Sequence, residues 1–291
     1  MQIVTLISDP ADPVLDAASV TRLRDDWCGG EIRWLAPEVA AEFPVEAFPD
    51  DFAARWAQFQ QGRIDLAVHS AQGRRKRMLL ADMDSTMIEQ ECVDELADMA
   101  GVGERVAEIT RRAMNGELEF EGALRERVAL LEGLDADVIE RVLSERITYT
   151  PGGRELIATM RANGAYAVLV SGGFTAFTER VAAHLGFDEH RANRLEIVQG
   201  RLTGRVAEPI LGRAAKVATL EEISARLGIG ESQVMAVGDG ANDLGMLQRA
   251  GAGVALHAKP SVAEQCDLRV NHGDLTALLY LQGYARESFI G

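Results

Sequence analysis

Two aspartates stand two positions apart in the stretch RMLLADMDSTM, directly after a short apolar run at residues 78–80. Side chains at positions i and i+2 that leave a strand point the same way, so Asp82 and Asp84 should project together beyond the strand end. Two carboxylates held close repel each other unless a cation lies between them or one keeps its proton. The pair therefore predicts a cation site, an acid–base pair, or both.

Two other interpretations of this pair are open to test against the sequence. An EF-hand loop needs Gly at its sixth position and Glu at its twelfth, but Met87 and Val93 stand there. A helix N-cap with an extra acid explains one aspartate and leaves the second without a role.

Polar groups also follow two later apolar runs. AVLVSGGF ends at Ser171-Gly172-Gly173 and VMAVGDGAND ends at residues 238–243, and each is followed by a helix-like segment. Such turns offer hydroxyl and backbone N–H groups to an anion. The second turn is not a dinucleotide loop, since Asp243 occupies the place of the third glycine in G-x-G-x-x-G. Lys216 lies between the two turns on a predicted helix, where a lone lysine would ordinarily be solvated.

The elements that must position these groups alternate from residue 78 onward. Nearly continuous apolar runs at 78–81, 165–170, 234–237, 254–256 and 268–270 are separated by helix-like segments. This pattern is typical of an α/β fold with a Rossmann-like parallel sheet. More than eighty residues, which include four segments with helical periodicity, separate the first two runs. We therefore expect a helical cap at about 88–150, inserted over the carboxyl edge of the sheet, where ligands of such sheets bind.

The first 74 residues have a different order. Apolar runs at 3–7, 32–35 and 64–68 and helix-like stretches at 14–27 and after Pro49 predict a small α+β domain. A polar segment at 72–77 marks the boundary, which gives predicted domains at 1–74 and 75–291. Residues 192–206 predict a β-hairpin around Gln199-Gly200.

Composition limits the possible partners. The chain has 291 residues, a formal charge of −15 and three widely spaced cysteines. The negative charge argues against nucleic-acid and membrane partners. No apolar run approaches the roughly 20 residues that span a bilayer, no secretory signal is recognisable, and the cysteines suit a reducing compartment, so we expect a cytoplasmic location.

Taken together and in this order, D-M-D-S-T, V-S-G-G, Lys216 and G-D-G-A-N-D resemble the motifs of the haloacid dehalogenase superfamily of aspartate-nucleophile phosphatases. The likeness is greater to the phosphoserine phosphatases of that superfamily, through Glu91, the segment AMNGELEFEGALRERVALL, S-G-G-F and ANRLEI. The order of elements in residues 1–74 resembles an ACT-type extension.

The resemblance implies a reaction and a metal. Asp82 would be the nucleophile that forms an aspartyl-phosphate, and Asp84 would be the general acid and base. Mg²⁺ would be held by the Asp82 carboxylate, the main-chain carbonyl of Asp84 and the Asp239 carboxylate, with Asp243 in support.

It also implies a substrate, O-phospho-L-serine. Four groups would surround the phosphoryl oxygens: Ser171, Gly172, Lys216 and Asn242. Glu91 would meet the substrate ammonium, Arg127 its carboxylate, and Met114 and Phe120 would exclude water. By spacing alone, Glu91 and Arg127 could equally be solvated helix charges, and Met114 and Phe120 ordinary helix core.

Two questions stay open at the level of sequence. The same chemistry could serve another small phosphorylated metabolite, or could transfer the phosphoryl group to an alcohol. The N-terminal domain could bind an amino acid or form a homodimer contact, and its sequence identifies no ligand.

Overall fold

The computed structural model describes residues 1–114 and 117–291, without the side chain of Met114. The strands are β1 (Gln2–Ser8), β2 (Arg33–Ala36), β3 (Ala40–Val45), β4 (Ile64–Ser70), β5 (Met78–Ala81), β6 (Tyr166–Phe174), β7 (Glu189–Asn193), β8 (Leu195–Val198), β9 (Arg201–Val206), β10 (Val234–Gly238), β11 (Ala252–Leu256) and β12 (Leu268–Val270). The helices are α1 (Ala17–Asp26), α2 (Phe52–Gln61), α3 (Cys92–Met99), α4 (Gly103–Met114), α5 (Phe120–Ala129), α6 (Asp137–Glu145), α7 (Gly153–Ala162), α8 (Thr175–Leu185), α9 (Arg213–Leu227), α10 (Leu244–Arg249), α11 (Pro260–Ala263) and α12 (Ala277–Leu281).

The larger sheet has six strands in the order β12-β11-β10-β5-β6-β7, and every neighbouring pair is parallel. All four residues of β5 are buried, as expected for a strand covered on both faces. This confirms the predicted α/β fold with a Rossmann-like sheet.

Two features of this sheet differ from the prediction. The edge strand β7 was not predicted, because EHRAN is polar and lacks an apolar repeat. Strand β6 also continues beyond Val170 through the Ser-Gly-Gly motif, and its register against β7 shifts between Val170 and Phe174. The motif therefore lies in an irregular strand extension instead of a turn.

Four helices, α3 to α6, are inserted between β5 and α7, and we call them the cap. The two chain segments that connect the cap to the sheet lie side by side, joined by an antiparallel bridge between Ile88 and Tyr149. The predicted hairpin is present as β8 and β9, and it pairs with the cap through the Gly133 N–H, which donates to the Leu202 carbonyl at 2.8 Å.

The N-terminal strands form a separate antiparallel sheet in the order β2-β3-β1-β4. One face packs against α1 and α2 through a cluster that includes Leu23 and Phe43. Strand β3 was not predicted, since Pro44 interrupts its sequence. It is tolerated because β2 pairs only with residues 40–42 of β3, so Pro44 lies beyond that pairing.

The opposite face of the N-terminal sheet is not free. Ile7 and Ala67 belong to the same buried cluster as Leu278 and Leu281 around α12. The C-terminal helix thus lies between the two sheets and is buried on all sides. Among the helices that the structure describes, none is long and apolar enough to cross a bilayer.

Candidate active site

Asp82 lies at the carboxyl end of β5, in the middle of the parallel sheet. Its N–H donates to the Val237 carbonyl of β10 at 3.0 Å, and its Oδ1 accepts from the Met83 N–H at 2.8 Å. The residue is only 4% exposed. A carboxylate so fully withdrawn from water requires a compensating partner.

That partner is Lys216 on α9, whose Nζ lies 2.7 Å from Asp82 Oδ1 and 2.6 Å from Asp243 Oδ1. Lys216 is 1% exposed. Burial alone would lower the pKa of Lys216, but the two adjacent carboxylates outweigh burial and raise it, so the lysine stays charged.

Three carboxylates surround this single lysine. One oxygen from each of Asp82, Asp239 and Asp243 lies within 4.8 Å of the others. Burial, together with the charge of Asp243, raises the pKa of Asp82 well above its ordinary value and that of Asp239 to about 6. The excess negative charge and the all-oxygen donor set fit a hard divalent cation.

Asp243 differs from the other two because both of its oxygens have protein donors. Oδ1 binds Lys216, and Oδ2 accepts from the Gly240 N–H at 3.0 Å. Gly238 makes this packing possible, since a Cβ there would lie 2.4 Å from Asp243 Cγ.

Asp84 is held by two donors. Ser171 Oγ donates to its Oδ2 at 2.9 Å, and the Cys92 N–H at the start of the cap donates to its Oδ1 at 2.9 Å. A Cβ on Gly173 would lie 2.8 Å from Asp84 Oδ2, so the strand extension must carry glycine there. The structure thus places Asp84 where the sheet and the cap meet.

These strand ends carry the signature of a known enzyme family. The family model of haloacid dehalogenase-like hydrolases matches residues 79–248, which is more than half of the chain. This chain belongs to that family.

Relatives of this hydrolase agree with the assignment. It is 43% identical over 293 residues to a phosphoserine phosphatase of Streptomyces coelicolor, an alignment that covers 98% of this chain and 71% of that protein. The alignments with that protein and with two further curated relatives cover 71%, 62% and 59% of the lengths of those proteins.

Two solved structures resemble the hydrolase fold. A family hydrolase from Salmonella enterica serovar Typhi superposes with a TM-score of 0.85 at 30% identity, covering 97% of this chain and 98% of that one. A phospho-aspartyl intermediate analogue of phosphoserine phosphatase superposes with a TM-score of 0.66 at 41% identity, covering 71% and 98%.

Glu91 directly precedes α3, the first helix of the cap. Ser85 Oγ donates to Glu91 Oε1 at 2.9 Å, from a backbone with φ of +53°. Glu91 is partly accessible to solvent, but many protein atoms lie around its carboxylate. Their desolvating effect is the main cause, and the charge of Asp84 the second, of a pKa raised to about 7. Within the described residues, the Glu91 carboxylate accepts from Ser85 and forms no ion pair.

Arg127 on α5 is a cation of the cap whose charge acts on this acid. Its Nε donates to the Ala123 carbonyl at 3.3 Å. Burial lowers the pKa of Arg127, while Asp94, Glu91 and Asp84 oppose that effect at longer range. The free edge of the guanidinium can take a carboxylate.

Phe120 begins α5 and lies over the strand extension. A Cβ on Gly172 would be 3.0 Å from Phe120 Cζ, and one on Gly212 would be 3.3 Å from its Cδ1. Asn242 lies half-buried in the turn before α10, next to Gly240. The side chain of Met114 lies outside the described residues.

Sequence reasoning missed three residues that organise the site. Besides Ser85, Thr86 Oγ1 donates to Asp239 Oδ1 at 3.3 Å, and both residues belong to the D-x-D-S-T motif itself. Asn193 donates to the Gly172 carbonyl at 2.8 Å and accepts from the Leu211 N–H at 2.6 Å, so it joins the β6 extension to the loop before α9. Asn193 lies in the ANRLEI segment that carried part of the family resemblance, and this position could have indicated a role for it.

Two cavities lie elsewhere, between the N-terminal sheet and the amino end of the parallel sheet. Their volumes are about 460 and 700 Å³, and both are lined by His69 and Ser70. They contain none of the predicted site residues.

Proposed function

We propose that the chain is a Mg²⁺-dependent phosphomonoester hydrolase that converts O-phospho-L-serine to L-serine and phosphate. One observation supports this proposal most: the charges of Glu91 and Arg127 both act on Asp84, which stands two residues after Asp82 of the buried Asp82–Lys216 pair. The site thus offers separate groups for phosphate, ammonium and carboxylate. Relatives named phosphoserine phosphatase support the same substrate.

In the first half-reaction, an Asp82 carboxylate oxygen attacks phosphorus in line. The new O–P bond forms an aspartyl-phosphate, and the bond between phosphorus and the serine oxygen breaks. Asp84 gives its proton to the departing oxygen, so that L-serine leaves as a neutral alcohol at that position. The hydrogen bond from Ser171 fixes the direction of Asp84.

In the second half-reaction, Asp84 takes a proton from water, and the resulting oxygen attacks the phosphorus. The bond to Asp82 breaks, phosphate leaves, and both aspartates return to their initial states. The Gly172 N–H, Lys216 and Asn242 stabilise the charge on the phosphoryl oxygens throughout. Ser171, whose one hydroxyl proton points to Asp84 in the free chain, would turn it toward a phosphoryl oxygen when the substrate binds.

We assign Mg²⁺ to the Asp82 carboxylate, the Asp84 carbonyl and the Asp239 carboxylate, and the two carboxylates belong to the cluster described above. When bound, Mg²⁺ would offset the repulsion between the carboxylates and the phosphate dianion. We assign Asp243 to support of this set, since Lys216 and Gly240 already use its oxygens.

Substrate selection comes from the cap. Glu91 binds the ammonium and Arg127 holds the carboxylate with its planar fork. Phe120, against Gly172 and Gly212, excludes water from the phosphoryl group, and we assign Met114 to the same wall.

The remaining assignments concern the whole chain. We propose an ACT-like domain at 1–74 and a hydrolase domain at 75–291, with the cap at about 88–150. The outer edge of β2 has no partner strand in the described part of the chain, which favours a homodimer contact there. The three free cysteines favour the cytoplasm, where serine biosynthesis would use the reaction.

A substrate panel tests the function. With Mg²⁺ present, kcat/KM should be highest for O-phospho-L-serine, and lower by about 10-fold or more for phosphoethanolamine, which lacks the carboxylate, and for the phosphate ester of 3-hydroxypropanoate, which lacks the ammonium. Chelation of the metal should abolish turnover of all three.

Two outcomes would point to the alternative function. A different small phosphate as the best substrate would remove the serine assignment. In the presence of an added alcohol, the amount of substrate consumed could exceed the amount of phosphate released. That result would indicate transfer of the phosphoryl group to the alcohol.

The nucleophile has its own test. Asp82→Asn should lower kcat by at least about 1000-fold, because an amide oxygen is a poor nucleophile toward phosphorus. Glu89→Gln, which changes an exposed carboxylate of the same segment, should leave kcat near wild type. Normal hydrolysis by Asp82→Asn would disprove the mechanism.

A further inference from the structure

A buried carboxylate far from the strand-end carboxylates connects the N-terminal sheet to the rest of the chain. Asp65 lies on β4 and is 2% exposed. Its Oδ1 accepts from the Asn271 N–H at 2.8 Å, and its Oδ2 accepts from the N–H groups of His272 and Gly273 at 3.0 and 2.9 Å. Three amides in a row thus bind one charged side chain in the loop that follows β12.

The same loop continues to the base of the cap. The Leu275 N–H donates to the Pro151 carbonyl at 3.1 Å. Gly152 packs directly on Thr276, since a Cβ at Gly152 would lie 2.7 Å from the Thr276 nitrogen. Asp274 fixes Thr276 through the Thr276 N–H at 2.8 Å. The segment from 271 to 276 is therefore held at both of its ends.

Pro151 and Gly152 end one of the two segments that connect the cap to the sheet. The Thr150 N–H donates to the Met87 carbonyl at 3.1 Å, and the Glu89 N–H donates to the Thr148 carbonyl at 3.0 Å. These bonds join this segment to the one that carries Asp84 and Glu91. We call residues 87–89 and 148–152 the cap hinge.

We propose that Asp65 is a positioning residue: through the 271–276 loop, the N-terminal sheet fixes the cap hinge and so the placement of Glu91 and Arg127 over the reacting aspartates. The inference about substrate rests on the proposed function, whereas the mechanical connection does not. The N-terminal domain would then help to position the site residues and would not act only as a separate module.

Asp65→Asn in the full-length chain with Mg²⁺ tests the proposal. The substitution keeps the size and one acceptor, but in either orientation of the side-chain amide it turns an N–H₂ group toward at least one of the three backbone N–H groups. Hydrogen exchange should accelerate at 271–273 and also at the cap hinge. KM for O-phospho-L-serine should rise about 3- to 10-fold more than KM for p-nitrophenyl phosphate, which has neither group that the cap would bind.

Glu42→Gln is the matched control. Glu42 is a second buried carboxylate of the same sheet, 5% exposed, and it binds Arg74 at 2.6 Å instead of the 271–276 loop. Its loss should leave exchange at the cap hinge and the ratio of the two KM values unchanged. Equal effects of both substitutions would show a general loss of stability and overturn the proposal.

Gly152→Ala perturbs the contact between the 271–276 loop and the cap hinge and leaves Asp65 unchanged. It should accelerate exchange at the hinge and shift KM in the same direction, and combined with Asp65→Asn its effect should be less than additive. If Asp65→Asn does not fold, Asp65→Glu replaces it, because that change keeps the charge. Acceleration confined to 271–273 would overturn the proposal, and if O-phospho-L-serine is not a substrate, the exchange data still decide it.

Discussion

Glu91 is the site residue whose charge depends most on conditions near neutrality. Its pKa is raised to about 7 by desolvation and by Asp84, so this carboxylate is about half protonated at neutral pH in the free chain. A substrate ammonium would favour the ionised form, and the attraction would be lost as pH falls. If Glu91 binds the ammonium as proposed, we expect substrate selection to be strongest on the alkaline side of this pKa.

A comparison of pH profiles tests this role. Glu91→Gln should lower kcat/KM for O-phospho-L-serine by about 10- to 100-fold at pH 8, the cost of one charge-assisted interaction. The difference from wild type should shrink as pH falls below about 7, because wild-type Glu91 is then protonated too. A constant ratio between pH 6 and 8 would argue against the assigned partner.

At the scale of elements, the site depends on how closely the extension of β6 approaches its neighbours. Gly173 lies against Asp84 and Ser171, with room for no Cβ: the added atom would be 2.8 Å from Asp84 Oδ2 and 3.0 Å from Ser171 Oγ. The extension is held in this position by its irregular pairing with β7 and by the hydrogen bond from Asn193 to the Gly172 carbonyl. Backbone approach, more than side-chain identity, sets the geometry of Asp84.

We expect Gly173→Ala to lower kcat by about 10- to 100-fold, because Asp84 must move from its proton-transfer position. Gly122→Ala is the control: a Cβ in that part of α5 meets nothing within 4 Å, and the helix should gain up to about 1 kcal/mol. The measurements are kcat and thermal unfolding of both variants. Unchanged kcat in Gly173→Ala would show that Asp84 tolerates displacement.

At the scale of the whole molecule, the two sheets share one core. Helix α12 is apolar on every side, and the N-terminal sheet covers the side that the parallel sheet leaves open, through Ile7 and Ala67. The buried pair of Glu42 and Arg74 adds a polar connection between β3 and the segment before β5. The N-terminal sheet therefore stabilises the hydrolase part by covering apolar surface.

A fragment of residues 75–291 should consequently be less soluble and less stable than the full chain. We expect aggregation or a markedly lower unfolding temperature, since the loss of residues 1–74 exposes the covered side of α12. Size-exclusion chromatography and thermal unfolding of both forms measure this. A monodisperse fragment with an unchanged unfolding temperature would show that the shared core contributes little.

The sequence by itself determined the class of fold and the place of the chemistry. Apolar runs of strand length mark parallel strands, and the carboxyl ends of such strands meet at one edge, so Asp82, Ser171 and Asp239 had to lie near one another. Both steps depend on local periodicity and a general rule of connection, which a single sequence carries.

Tertiary structure alone decided the environment of each group. Three features depend on residues far apart in the chain. They are the burial of Lys216 between two aspartates, the raised pKa of Glu91, and the hydrogen bonds from the 271–273 amides to Asp65. Strands β3 and β7 were missed for the same reason, because Pro44 and the polar EHRAN are accommodated by their neighbours and carry no strand signal of their own. Local pattern fixes which residues leave a strand together, whereas desolvation and charge pairing depend on what packs around them.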